Sequence, residues 1–255
     1  MKAKHIQILP LLDREPPIQF ETISREETVF PRKRVHFFET GGRETEIRLW
    51  LIAFLQDRSI PLGWRLARLG EAVRHLDEAL TAHDFNVLDD LLSGKTEILV
   101  PELPDSKSIA LSTVRQLLAR LDDLSDSIRN YGRMALRHFD REGALSEEAI
   151  AQHLSQASPH WEAWFENMMV NHMYFSQFPF QDRPVSLKDE TVALYAVYAL
   201  LRFLTIGAGD GTHERMTDIA AALFRLVDHT AFDRYAIPIL KRICGDGSVI
   251  KLLML

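Results

Sequence analysis

From Arg43 onward, apolar side chains recur every three to four residues, and this period constrains the fold more than any other feature of the chain. In "TEIRLWLIAFLQDR" Ile47, Leu51, Phe54 and Leu55 share one face, which Trp50 broadens. Ser59 and Pro61 open "PLGWRLARLGEAVRHLDEAL", whose stripe holds Leu62, Leu66, Leu69, Val73, Leu76 and Leu80. The shorter "FNVLDDLLSG" stops at Gly94, and "KTEILVPELPDSKS" reads as a loop broken by Pro101 and Pro104. One long helix is expected through "STVRQLLARLDDLSDSIRNYGRMALRHF". Ser146 caps "SEEAIAQHLSQA", and Pro159 starts a helix over Trp161 to Phe180. "SLKDETVALYAVYALLRFLTI" begins with capping-box spacing from Ser186 to Asp189, and "THERMTDIAAALFRLVDH" and "FDRYAIPILKRIC" follow. With short links and no fixed-period repeat, the expected fold is an all-α bundle of eight to nine helices.

Residues 1–42 differ. Pro10, Pro16, Pro17 and Pro31 punctuate alternating segments such as "IQFETI" and "RVHFFE", so an extended N-terminal arm, or the remnant of a preceding region, is expected before a helical domain over 43–255. A net charge of −6 argues against nucleic-acid binding by the whole surface. The basic–aromatic run "PRKRVHFF" stands beside acidic stretches and reads as a solvated strand. The one cysteine, Cys244, excludes a disulfide, a thiolate zinc site and a complete iron–sulfur site within the chain, and is expected as a small buried side chain. The N-terminus lacks the pattern of a secretory signal. The longest apolar stretch, Val192 to Ile206, contains Arg202 and falls short of the ~18 residues of a spanning helix. No membrane partner and a cytoplasmic location are the expectation.

"FLTIGAGDGTHERM" invites a different reading, a glycine loop holding a cofactor, with Asp228 placed to bind a ribose. Its surroundings oppose that. The 44 residues after Gly211 cannot supply the further crossover units of ~30 residues that a doubly wound sheet needs. "RFLT" continues a helical period, Gly207 suits the left-handed residue that ends a helix, and Thr212 or Thr217 suits the next cap.

The helix beginning at Trp161 carries the most chemistry. Glu166, Asn167, Asn171 and His172 sit among Trp, Phe and Met side chains, with Asn167, Asn171 and Tyr174 on one side. Buried amides and carboxylates must find partners, so they form either a structural network or the wall of a pocket. Asp210 with His213, and His153 with His160, lack a third ligand in register, so no metal site is expected.

Several stretches together resemble a known family. "IRLWLIAFLQDRSIPLGWRLARL", "FENMMVNHMYFSQFPF", "LYAVYALLRFLTIG" and "TDIAAALFRLVDH" are similar to the C-terminal helical region of the flagellin lysine-N-methylase family, with coverage from about Leu12 to His229. The resemblance implies methyl transfer from S-adenosylmethionine to flagellin lysines. It also implies a cysteine-rich segment holding an iron–sulfur cluster, which this chain alone cannot bind. "LPLLDREPPIQFE" resembles the family's segment just after its last cysteine, so a truncated or split member is expected. From the matched box, Glu166, Asn167, Asn171 and Tyr174 are the pocket candidates, together with Arg202, which could meet a carboxylate of the cofactor or pair with Glu166. The alternative is a non-catalytic helical module that recognises flagellin or another protein.

Overall fold

The computed structural model describes residue 17 and residues 39–244 apart from 103–106, 122–124, 143–145, 181–184 and 231. The arm expected over residues 1–42 lies outside these residues except at positions 17 and 39–42, and so does the side chain of Cys244. Ten helices and no strand occur among the described residues: α1 (Glu44–Leu55), α2 (Leu62–Thr81), α3 (Phe85–Leu92), α4 (Lys107–Leu121), α5 (Asp126–Glu142), α6 (Glu147–Ala157), α7 (Trp161–Phe175), α8 (Leu187–Ala208), α9 (His213–His229) and α10 (Phe232–Cys244). The all-α expectation holds. The count exceeds eight to nine because the long helix expected from Ser112 to Phe139 is two, α4 and α5, the second opened by Ser125, whose Oγ accepts the N–H of Ile128 at 3.4 Å.

Side-chain caps set four further helix starts. Ser146, Ser186 and Thr212 accept the backbone N–H groups of Ala149, Asp189 and Arg215, and Asp84 accepts those of Asn86 and Val87. Three helices end in the same reversal. After α2, α3 and α7, the residues His83, Gly94 and Gln177 adopt positive φ, and the following N–H reaches back to Ala79, Asp90 and Met173 at 2.9, 3.0 and 2.9 Å. α7 therefore stops at Phe175 rather than continuing to Phe180 as its pattern suggested.

The core forms around α8. Almost every residue from Leu187 to Ala208 is buried, and α2, α4, α5, α6, α9 and α10 all pack on it. Its 22 residues and hydropathy of 1.6 would let it cross a membrane by length and composition, yet 94% of that stretch is buried inside the protein. Its apolar surface is spent on neighbouring helices, at roughly 1.5–3 kcal/mol for each large side chain. Phe203 stacks on Phe139 of α5 at 4.7 Å, and Thr191 and Thr205 donate to the Leu187 and Leu201 carbonyls one turn back. Two glycines permit close approaches between helices. A Cβ on Gly207 would lie 2.5 Å from Cα of Ala135, and one on Gly70 would lie 1.9 Å from the hydroxyl of Tyr195. That hydroxyl donates to the Leu66 carbonyl at 3.1 Å and ties α8 to α2; burial pushes it well above the usual tyrosine range, so it stays neutral.

Candidate functional site

The polar residues of α7 divide by position. Glu166 and Asn167 are fully buried, Asn171 is half-buried, and Tyr174 is exposed at the helix end. Glu166 faces the turn between α1 and α2. Arg58 grips it with two hydrogen bonds, Nε to Oε2 at 2.8 Å and Nη2 to Oε1 at 2.9 Å, while Nη1 of Arg65 reaches Oε2 at 2.7 Å. Arg65, almost wholly buried, also donates to the Ile60 and Leu55 carbonyls at 2.6 and 3.2 Å and meets Glu162 at 3.4 Å. Glu162 in turn accepts the Leu62 N–H at the start of α2, at 3.1 Å.

The surrounding turn is built to aim these arginines. Asp57 accepts the backbone N–H and hydroxyl of Ser59 at 3.2 and 2.5 Å, and Nη1 of Arg68 at 2.9 Å. The Ser59 hydrogen bonds, followed by the Arg68 charge, hold the Asp57 carboxyl below its ordinary range. Arg68 lies over the Phe54 ring and bonds the Ile98 carbonyl, covering the outer side of the turn.

Arg58 and Arg65 lie in "QDRSIPLGWRL", and Glu162 and Glu166 in the helix containing "FENMMVNHMYF". The two most distinctive stretches of the sequence are thus joined by one buried ionic cluster across more than 100 residues of chain. Two arginines matched by two carboxylates leave no excess charge for a ligand. Holding α7 against α1 and α2 is what this arrangement does.

Arg202 does not pair with Glu166, whose oxygens are taken by Arg58 and Arg65; it donates to the Tyr198 hydroxyl at 3.2 Å, one turn back on α8. A second pair, hidden from helical periodicity, lies toward the other end of α7. Nδ1 of His172 lies 3.4 Å from Asp228 of α9, and its ring is 5.6 Å from that of Phe224. His172 was visible in the sequence as a histidine in an apolar helix. Its partner, 56 positions on, was not.

The glycine stretch does not fit a cofactor. Gly207 is an interior residue of α8 filled by Ala135, not the left-handed terminator expected of it. The N–H of Gly209 is spent on the Thr205 carbonyl at 3.1 Å, Gly211 takes the positive φ of the turn, and Thr212 caps α9. Asp210 is likewise used locally: hydrogen bonds from Thr212, then Arg215, keep its carboxyl below the usual range. Among the described residues no group of three histidine, cysteine or acidic side chains could hold a metal ion.

Fold and site together define an all-helical domain in which one buried ionic cluster joins α7 to the turn between α1 and α2. Residues 48–249 match the family model described as the FliB lysine N-methylase C-terminal domain, and the chain belongs to that family. No curated protein and no solved structure gives a significant match.

Proposed function

We propose that this domain takes part in methylating lysine side chains of flagellin, with S-adenosylmethionine as methyl donor, as the helical partner of a cysteine-rich segment. The observation that carries the reading is the match to a lysine N-methylase domain over residues 48–249. Flagellin, the donor and the cysteine-rich segment come from the resemblance of the "QDRSIPLGWRL" and "NMMVNHMYFSQFPF" stretches to that family.

The donor supplies an electrophilic methyl group on sulfonium sulfur. The protein's own tasks are then to bind a lysine, orient its nitrogen and remove a proton, because only the neutral amine has a lone pair to offer. Glu166 is poorly suited to this work, since it is sequestered by two guanidinium groups. The half-exposed end of α7, with Asn171 and Tyr174, is better suited.

The test is to incubate the full chain with flagellin and S-adenosylmethionine, with and without the cysteine-rich segment, and to map methylated lysines by mass spectrometry. Methylation with both components is expected. Stable binding of flagellin with no methyl transfer under either condition would replace this reading by that of a recognition module.

A further inference from the structure

α7 and α9 touch through two ring contacts, whose order along both helices shows that they point the same way. Trp164 near the start of α7 meets His213 at the start of α9, with ring centroids 6.1 Å apart, and His172 near the end of α7 meets Phe224 in the later half of α9. Two parallel helices in side-chain contact bring their C-terminal ends to one edge of the molecule, and each end carries the negative pole of its helix. Asp228 stands in the last turn of α9 with its side chain 53% exposed, against His172 at 11%. Phe175, in the last turn of α7, is 80% exposed, with Tyr174 edge-on to it at 5.8 Å. Phe175 follows His172 by three residues, so both rise from the same side of α7.

An exposed aromatic side chain beside an electronegative edge suits a long apolar stem that ends in a cation. We propose that this edge receives the substrate lysine: Phe175 takes the methylene stem, and Asp228 with the two helix ends attracts the ε-ammonium. His172 is the base. Asp228 stands 3.4 Å from the Nδ1 side of the ring, leaving Nε2 to accept one proton from the ammonium; the products are a neutral amine and an imidazolium balanced by the Asp228 carboxylate. Asp228 acts here as a positioning residue. This assignment rests on the lysine-methylation reading and gives it a location.

The experiment titrates the full chain with N-acetyl-lysine methylamide and with its norleucine counterpart, which has the stem but no ammonium, while following the His172 imidazole resonances by NMR. The lysine probe is expected to shift them and the norleucine probe to leave them unmoved. Asp228→Asn should weaken the response at least fivefold and Phe175→Ala at least threefold; both positions are exposed, and an unchanged thermal melt verifies that the variants fold. Equal responses to the two probes, or an Asp228→Asn variant that binds as the parent does, would overturn the site. Because the probe carries no flagellin sequence, failure here with flagellin methylation intact removes only this site. Probe binding without flagellin methylation removes only the function proposed above.

Discussion

Glu166→Ala perturbs the fold at its most concentrated point. The carboxylate is fully buried and receives three charged hydrogen bonds between 2.7 and 2.9 Å from Arg58 and Arg65. Arg58 is partly exposed and can turn to water, but Arg65, 3% exposed, cannot. It would keep two carbonyls and the more distant Glu162 as company for a buried positive charge. Removing one member of such a pair costs about 3–5 kcal/mol, a large part of the ~5–15 kcal/mol that holds a domain together. Urea unfolding followed by far-UV circular dichroism should show the unfolding free energy falling by that amount, with the midpoint lower by the loss divided by an unchanged slope. Glu166→Gln, which keeps the shape and loses the charge, should cost about 1.5–3 kcal/mol. The double variant Arg65→Leu with Glu166→Leu should recover much of the loss, since it leaves no unpaired buried charge beside Leu55 and Ile60. A loss below about 1 kcal/mol for Glu166→Ala would refute the cluster as the joint between α7 and the α1–α2 turn.

Three further outcomes are expected. Gly207→Ala should destabilise by about 1–3 kcal/mol, because its Cβ would meet Ala135 backbone at 2.5 Å; an unchanged melting temperature would contradict the close approach of α5 and α8. His83→Gly and Gln177→Gly should each stabilise by up to ~1 kcal/mol, since both residues hold a left-handed conformation that glycine adopts without steric cost; a loss in a thermal melt would contradict this. His153, lowered first by burial and then by the neighbouring charge of His138, favours its neutral form in the fold, so its contribution is present above about 6.5 and lost as pH falls toward its lower folded value. His153→Gln should flatten the fall in melting temperature over that window.

What could be read in the sequence was local. The helical period, the caps at Ser146, Ser186 and Thr212, and the demotion of the glycine stretch all depend on residues within a turn or two of one another. The division between α4 and α5 was hidden because "LARLDDLSDSIR" keeps an apolar period across it, and only Ser125 marks the new start. Gly207 was misplaced because a helix-ending glycine and a helix-packing glycine look alike until the neighbour, Ala135, is known. The ionic cluster was half legible. Arg65 lies between Leu62 and Leu69 on the apolar stripe of α2, and Glu166 lies within an apolar helix, so each charge called for a partner. Periodicity gives the face of a helix, not what lies opposite it, and so it offered Arg202 where the fold supplies Arg58 and Arg65. The same limit hid Asp228 beside His172.

The family assignment places the chain among lysine N-methylase domains, and the proposed substrate gives the most direct test. Lysine methylation of flagellin is to be measured by peptide mass spectrometry in the cells that encode this chain, with its gene intact, deleted and restored. Methylated lysines are expected to vanish on deletion and return on restoration. Methylation that persists at the same lysines and the same occupancy in the deleted cells would contradict the proposed function.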